Sequence, residues 1–466
     1  MISGRETGQI AMTKRLLEWL RGNRMAVAGW TAGLLLLSAV AWNVFIPHAD
    51  QRINAISKQG YPVTLAELDA WYKPVPPLEN AALTYLEAFA HPLFRESPGA
   101  SNWIADDSFW SKRGQKMDQE AKARFLALLA TNQPTLKLLH SVTNSACSRY
   151  PIDLNQGWAT LLPHLSKLKR AVQLLGGVAL AHAAEGNLDG AVDSLIAAGR
   201  AADSLQHEPS IISQLVRMAC WQIVVSAIER IASGSTLNEK QIERLEIVLH
   251  DAERPECLKR GFGGEQAFGV ALFTDSRVQM QAFSQNTSPG NTERLRVALL
   301  ISVLKATGLF AQDKAVFLDL MATNLGAANL PFPSRLEAGQ QAATLSRTLP
   351  GRFHVFSRMM LPAVANIFYR EADFTARLRV ARAALRIERF RRTHGNALPQ
   401  NLEELTSQSA KPLPCDPYDG KPLRFKKLAT GYVIYSIGKD GVDDGGLEHQ
   451  SKNSKSSQDI TFVLER

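Results

Sequence analysis

The chain has 466 residues, of which 45% are hydrophobic and 21% charged, and a formal net charge of +9. That length exceeds one ordinary domain of roughly 100–200 residues, and the balanced composition excludes collagen-like, coiled-coil and wholly disordered chains. A mean hydropathy of −0.12 excludes a polytopic membrane protein, and a basic excess without zinc-finger or RNP patterns gives no reason to expect a nucleic-acid partner.

The basic charge is concentrated at the start. Residues 1–24 carry Arg5, Lys14, Arg15, Arg21 and Arg24 against Glu6 and Glu18, and read as a cytoplasmic basic arm. Residues 25–46, Met25 to Ile46, hold no charged side chain. As a helix they reach across a hydrocarbon core of ~30 Å, with Trp30 and Trp42 towards the two ends as interfacial anchors. The positive-inside rule then keeps the arm cytoplasmic and exports the rest. The expected location is the bacterial inner membrane, single-pass, with the bulk of the chain periplasmic. Ala39-Val40-Ala41 is an A-x-A site, so cleavage after Ala41 is the alternative. Against it, apolar character continues through Trp42, Val44, Phe45 and Ile46. Two later apolar runs, Leu215–Ala232 and Val297–Phe310, are interrupted by Arg217, Glu229 and Arg230 and by Lys305, and are expected as core helices.

Residues 47–80 read as a Pro-rich stalk, with Pro47, Pro62, Pro74, Pro76 and Pro77, in which Thr64 and Glu67 form a capping box. Residues 81–361 read as an α-helical body. Apolar residues recur at three-to-four spacing over Asn80–Ala90, Asp118–His140, Leu161–Ala184, Leu188–Leu205, Ser210–Ala232 and Asn238–Ala252, with Asp118, Ser210 and Asn238 as N-caps. Ala179, His182, Gly186, Ala191, Leu195 and Ala198 stand where a tetratricopeptide hairpin carries its small and medium residues. With no second copy, an antiparallel helix pair is the better account. From Lys259 to Leu361 the pattern is more irregular. Gly261, Gly263, Gly264 and Gly269 make neither a phosphate loop nor a dinucleotide fingerprint. Gln285–Asn291 reads as a polar loop, Asn291–Phe310 and Gln312–Leu325 as helices, and Pro331-Phe332-Pro333 as a break.

After Pro362 the texture changes, and residues 372–466 read as a separate C-terminal unit. Ala372–His394 is a long helix bearing Arg377, Arg379, Arg382, Arg386, Arg389, Arg391 and Arg392. That run suits a solvated face, with an acidic partner or lipid headgroup as the alternative. Leu423–Leu428, Tyr432–Ser436 and Ile460–Leu464 read as strands separated by turn chemistry. The expected fold class is therefore mainly α: a single N-terminal transmembrane helix, a helical body, and a small C-terminal α+β unit of one long helix plus a three-stranded antiparallel sheet. Export permits disulfides among Cys147, Cys220, Cys257 and Cys415, in any of three full pairings, with buried free thiols as the alternative.

The ordered motifs of this unit resemble a family. After the helix come Asp416-Pro417-Tyr418-Asp419-Gly420-Lys421-Pro422, then Tyr435-Ser436-Ile437-Gly438-Lys439-Asp440-Gly441, Gly445-Gly446 and Asp459-Ile460. Over about residues 372–462 the series is similar to the C-terminal domain of type II secretion major pseudopilins. The layout as a whole resembles bacterial membrane proteins that carry such a tail. Two departures weigh against assembly into a fibre. Gly22-Asn23-Arg24-Met25-Ala26-Val27 lacks the Phe and the Glu of a pseudopilin leader, and the apolar segment lies far from the C-terminal helix.

Asp440, Asp443 and Asp444 lie within five residues of a glycine-rich loop. Carboxylates held that close favour a cation, and hard oxygen donors on a flexible loop suit calcium. A solvated acidic turn is the alternative. The resemblance implies Asp440, Asp459 and the Ile437 carbonyl as ligands. Ser457-Gln458 stand where the family has a further acidic residue, and Asp443 or Asp444 is then the substitute. The ten histidines form no H-E-x-x-H, and no G-x-S-x-G is present. The expected function is that of a membrane-anchored, exported, non-enzymatic structural or protein-binding envelope protein with a calcium-stabilised tail. It would meet the membrane through residues 25–46 and a protein partner in the envelope. The alternative is an exported hydrolase with its site in the helical body.

Overall fold

A computed structural model of the chain describes residues 49–94, 119–142, 148–283, 290–350, 354–360, 366–406, 412–447 and 459–466, with Gly33 and Arg113 as isolated positions. The basic arm, the apolar segment 25–46 apart from Gly33, Asp118, Cys147 and most of the loop Gln285–Asn291 lie outside the described residues.

Helices dominate. In chain order they are α1 (Ala49–Lys58), α2 (Leu65–Trp71), α3 (Ala81–Ala90), α4 (Gln119–Thr131), α5 (Gln133–Ser141), α6 (His164–Ala184), α7 (Leu188–Asp203), α8 (Ile211–Gly234), α9 (Glu239–Ala252), α10 (Pro255–Thr274), α11 (Ser276–Phe283), α12 (Asn291–Ala306), α13 (Leu309–Ala328), α14 (Ser334–Thr348), α15 (Val355–Met360), α16 (Ile367–Thr393) and α17 (Glu403–Thr406). Strands β1 (Arg424–Lys427), β2 (Tyr432–Ser436) and β3 (Ile460–Leu464) make an antiparallel sheet in the order β1-β2-β3. Arg424 faces Tyr435 across the first pair and Ser436 faces Ile460 across the second. The chain is thus mainly helical with one small antiparallel sheet.

Local chemistry sets several boundaries. Asn238 caps α9 in a full capping box with Gln241. Thr64 accepts from the Glu67 N–H, while the Glu67 carboxylate reaches the Val63 N–H, one residue further back than the standard box. The α6–α7 pair is the expected antiparallel hairpin. Asn187 caps α7 on the Gly190 N–H, and Ala179, Ala191, Leu195 and Ala198 are buried along the pair.

Two stretches depart from expectation. Residues 49–80 are more helical than a stalk: α1 precedes the α2 that the Thr64 box opens, and Ile56, Leu65 and Leu68 are buried in a core with α10 and α13. The irregular glycine stretch is the continuous helix α10. Its glycines carry no side chain to register periodicity, yet they are where other elements press in. A Cβ on Gly264 would lie 1.8 Å from the Pro209 carbonyl oxygen, and one on Gly269 would lie 2.0 Å from the Phe317 ring. Both distances are far inside van der Waals contact, so only glycine lets α10 approach there.

The core has two parts. One gathers α3 to α9 with the sheet; the other gathers α1, α2, α10, α13 and α14. Helix α16 runs through both, with Ile367, Phe368 and Ala372 in the second and Phe374 to Phe390 in the first. This corrects the expectation that residues 372–466 form a separate unit. Ala376, Ala381, Ala383 and Ala384 are buried beside Leu378, Val380, Leu385 and Ile387, so α16 has more than one packed face. Each fully buried Leu or Ile contributes ~1.5–3 kcal/mol over its exposed state.

Candidate functional site

The C-terminal sheet turns on Asp416, which is 1% exposed. Its Oδ1 accepts from the Tyr418 N–H at 2.9 Å and the Ser436 hydroxyl at 2.8 Å. Its Oδ2 accepts from the Ile437 N–H at 3.0 Å and Arg424 Nη1 at 2.6 Å. One carboxylate therefore ties the Asp416–Pro422 turn to the end of β2, where the acidic loop begins. Arg424 also holds Asp419; burial is the largest single influence and opposes ionisation of Asp419, but the guanidinium bond, the Lys421 N–H and the charges of both cations together keep that carboxyl below its usual range. Sequence reasoning quoted Asp416 only as part of a motif. The signal available was an Asp followed by Pro and, eight residues on, an Arg.

The expected ligands lie along the loop leaving β2. Asp440 is exposed, and its Oδ1 accepts from the Val442 N–H at 3.2 Å in a local turn. Asp443 Oδ1 accepts from the Gly445 N–H and from the Tyr435 hydroxyl, both at 3.0 Å. Burial, then this carboxylate, pushes the Tyr435 hydroxyl up to about 12. Asp459, at the start of β3, accepts from the Gly446 N–H through Oδ2 at 2.8 Å. Its Oδ1 is buried and has no hydrogen-bond partner among the described residues. Burial raises the Asp459 carboxyl above its ordinary range, and the charges of Asp443 and Asp444 add to the rise against the Gly446 bond. A buried carboxylate oxygen without a donor, beside two more carboxylates, is the condition a hard divalent cation relieves. Asp443 and Asp444 stand beside Asp459 in this way, whereas Asp440 is turned to its own backbone. The Ile437 N–H is held by Asp416, which fixes the loop's first peptide. Among the described residues no group of three or more His, Cys, Asp or Glu is close enough to hold a metal; residues 448–458, which join this loop to β3, are outside them.

The arginine run is not simply a solvated face. Glu239, Glu246 and Glu253 recur every seven residues, on one face of α9 and its C-cap. Arg379 and Arg382 bind Glu253, Arg386 binds Glu246 at 3.0 Å, and Arg389 reaches both Glu239 at 2.6 Å and Glu246 at 2.8 Å. As α16 ascends, its partners descend α9, so the helices are antiparallel. The acidic partner of this helix is within the same chain. Arg391 and Arg466 converge on Glu388, and Arg466 also reaches the Ala232 carbonyl at 2.7 Å. Glu229 of α8 accepts from the Val463 N–H at 2.7 Å, capping the outer edge of β3.

The helical body holds further buried polar groups. Most of the α7–α8 connection is buried. Glu208 accepts from Ser213 Oγ at 2.5 Å and meets His164 Nε2 at 3.0 Å, under the stacked Tyr150 ring. Here the carboxylate sits between serine and histidine. A serine nucleophile needs the imidazole in that middle place, so the trio satisfies a buried turn and does not activate a hydroxyl. Arg217 and the Trp221 N–H both donate to Asp203, each at 2.9 Å. A cleft of about 230 Å³ lies where the two parts of the core meet, lined by Arg217, Arg335, Arg379, Glu253, Glu371 and Cys257 among others. Most of its charges are paired: Arg335 with Glu371 at 2.6 Å, Arg379 with Glu253, Arg217 with Asp203 at 2.7 Å, while Arg254 donates to the Asp251 carbonyl at 2.6 Å. Burial raises the Glu371 carboxyl against the pull of Arg335.

Cys220, Cys257 and Cys415 are free thiols. Burial pushes the Cys220 thiol up to about 12 and raises Cys257 as well, which leaves both poor nucleophiles. Helix α8, the apolar run with Arg217, Glu229 and Arg230, is the expected core helix, packed against α6, α7, α10, α16 and β3. Comparison with family models, curated proteins and solved structures finds no match to this chain.

Proposed function

We propose that this chain is a membrane-anchored, exported envelope protein acting as a non-enzymatic structural or protein-binding scaffold, with a calcium-stabilised pseudopilin-like face built onto a helical body. The observation that supports this best is the way the tail is held. The α9–α16 ion-pair ladder, the Glu229 cap on β3 and the Arg466–Glu388 pair fasten the sheet to the body. A tail fixed in this way is a presented surface rather than a fibre subunit on a free stem. In the small cleft of the body both lining carboxylates are tied up by arginines, Glu371 by Arg335 and Glu253 by Arg379, which favours a scaffold over a hydrolase.

In this reading Asp443, Asp444 and Asp459 hold the calcium with the Ile437 carbonyl, and Asp440 contributes on rearrangement of its turn. The ion neutralises the carboxylates and ties the loop to β3. The test is thermal melting of the full chain in calcium, magnesium or EGTA. At 100 times its Kd, calcium adds ~2.7 kcal/mol, and magnesium substitutes poorly because it demands near-octahedral geometry. Equal melting temperatures in all three would leave the loop a solvated turn. Anchoring is tested separately, by retention on membranes after a carbonate wash and by a periplasm-active reporter placed after Arg466.

A further inference from the structure

Helix α12, expected as a core element, is found at the surface. Val297 and Ile301 are buried, but Leu295 is 70% exposed, Leu299 68%, Val303 51% and Leu300 47%. Leu295, Leu299 and Val303 follow at four-residue intervals, so they form one stripe on the outward side. Exposed Arg294 and Arg296 flank them, while Lys305 turns its ammonium over the Phe310 ring. Isolated surface leucines need no explanation, whereas a contiguous leucine stripe on one helix marks an interaction face.

The chain's own connectivity says what that face meets. The uncharged segment Met25 to Ile46 ends three residues before α1 begins at Ala49, a reach of at most ~10 Å. Helix α1 is fastened to α13 by the two-pronged bond of Arg52 to Asp319, at 2.6 and 2.8 Å. Asp319 is ten residues along α13 from Leu309, about 15 Å. Helix α12 joins α13 at that Leu309 end and crosses it at 79°. The helix to which α1 is fastened therefore also carries α12, set crosswise.

We propose that α12 lies in the lipid headgroup layer beside the anchor, with Leu295, Leu299 and Val303 in the acyl boundary and the cations against anionic headgroups. An interfacial helix of this kind has leucines on one face and basic residues beside them. It gives the body a second attachment and fixes its tilt over the membrane. A second copy of the chain is the weaker occupant, since a self-paired patch would bring two sets of the same cations together.

This placement rests on residues 25–46 being an anchor, and the experiment separates the two. The full chain, with Cys147→Ser and Cys415→Ser, carries a polarity-sensitive fluorophore on Leu299→Cys or, as the control, on Lys427→Cys of β1. It is reconstituted in phosphatidylethanolamine–phosphatidylglycerol vesicles with a quencher near the top of the acyl chains. The expected result is a blue-shifted emission at 299, quenched at least about twofold by the lipid, and neither effect at 427. An unquenched label at 299 on a chain that survives the carbonate wash would overturn the placement and leave the anchor standing. Concentration-dependent 299-to-299 crosslinking without lipid quenching would overturn it in favour of a second copy. Release of the chain by carbonate would defeat the anchor, and this placement with it.

Discussion

Two aspartates of the C-terminal sheet behave in opposite ways. Asp416 is buried with four donors around it. Removing it strands the Ser436 hydroxyl and two backbone N–H groups and leaves Arg424 with Asp419 alone. Asp416→Ala is therefore expected to cost about 3–5 kcal/mol, as breaking a buried charged network does, measured by urea unfolding of the full chain. A loss below ~1 kcal/mol would mean the network is replaceable. Asp459 has too few donors, and its carboxyl is raised by burial and then by Asp443 and Asp444. A carboxyl raised in the folded state favours folding while it is protonated. That advantage is complete below the ordinary aspartate range, near pH 4, and is lost as pH rises to the folded value. In EGTA the melting temperature should fall over this interval, and Asp459→Asn should flatten the fall. Parallel curves for the two proteins would show that Asp459 carries no such penalty. The loop carboxylates could be picked out in the sequence because their spacing is local. The role of Asp416 could not, because three of its four donors come from Arg424, Ser436 and Ile437, eight to twenty-one residues away.

Among the elements, the helical runs from Asn80 to Ala252, those over Asn291–Phe310 and Gln312–Leu325, and all three strands were legible from apolar spacing and turn chemistry, although Asp118–His140 holds two helices, α4 and α5, and the shorter or more polar α11, α14 and α15 gave no such signal. Helix α10 was not, since a glycine-rich face leaves no apolar period, and its reason appears only once Pro209 and Phe317 are in place. Gly264→Ala is expected to cost about 3 kcal/mol, the upper end for overpacking, because the atom it meets belongs to backbone and cannot rotate away. A calorimetric melt reads this directly, and an unchanged melting temperature would show that α10 and the α7–α8 connection can separate freely. The α16 arginines were visible, but their partners are set by the seven-residue spacing of Glu239, Glu246 and Glu253 on another helix. Glu253 serves both Arg379 and Arg382, with all three side chains less than a quarter exposed. Glu253→Ala should then cost about 2–4 kcal/mol, more than Arg379→Ala, and a double-mutant cycle should return a coupling of about 1–3 kcal/mol. Additive effects would make the ladder an accident of proximity.

At the scale of the molecule, the question is whether the tail and the body unfold together. The local patterns suggested separable units, since a long helix followed by a meander is self-contained as a sequence motif. What that pattern omits is the remaining surface of α16, where Ala376, Ala383 and Ala384 admit neighbours as closely as Leu378 and Leu385 demand them. A three-stranded sheet is a small core by itself, and here Tyr432, Ile434, Phe462 and Leu464 complete the same core as Trp221 and Leu249. Unfolding the sheet would uncover the α8 and α16 surfaces on which β3 rests. The two should therefore melt in one transition, despite a length at which intermediates become common. The sharpest check is hydrogen exchange on Asp416→Ala. Exchange should accelerate not only in β1–β3 but also in α8 and α9, because the protection of all five elements comes from one opening reaction. Faster exchange confined to the strands, with α8 and α9 unchanged, would show that the tail opens on its own, and that the ion-pair ladder fastens two units rather than one.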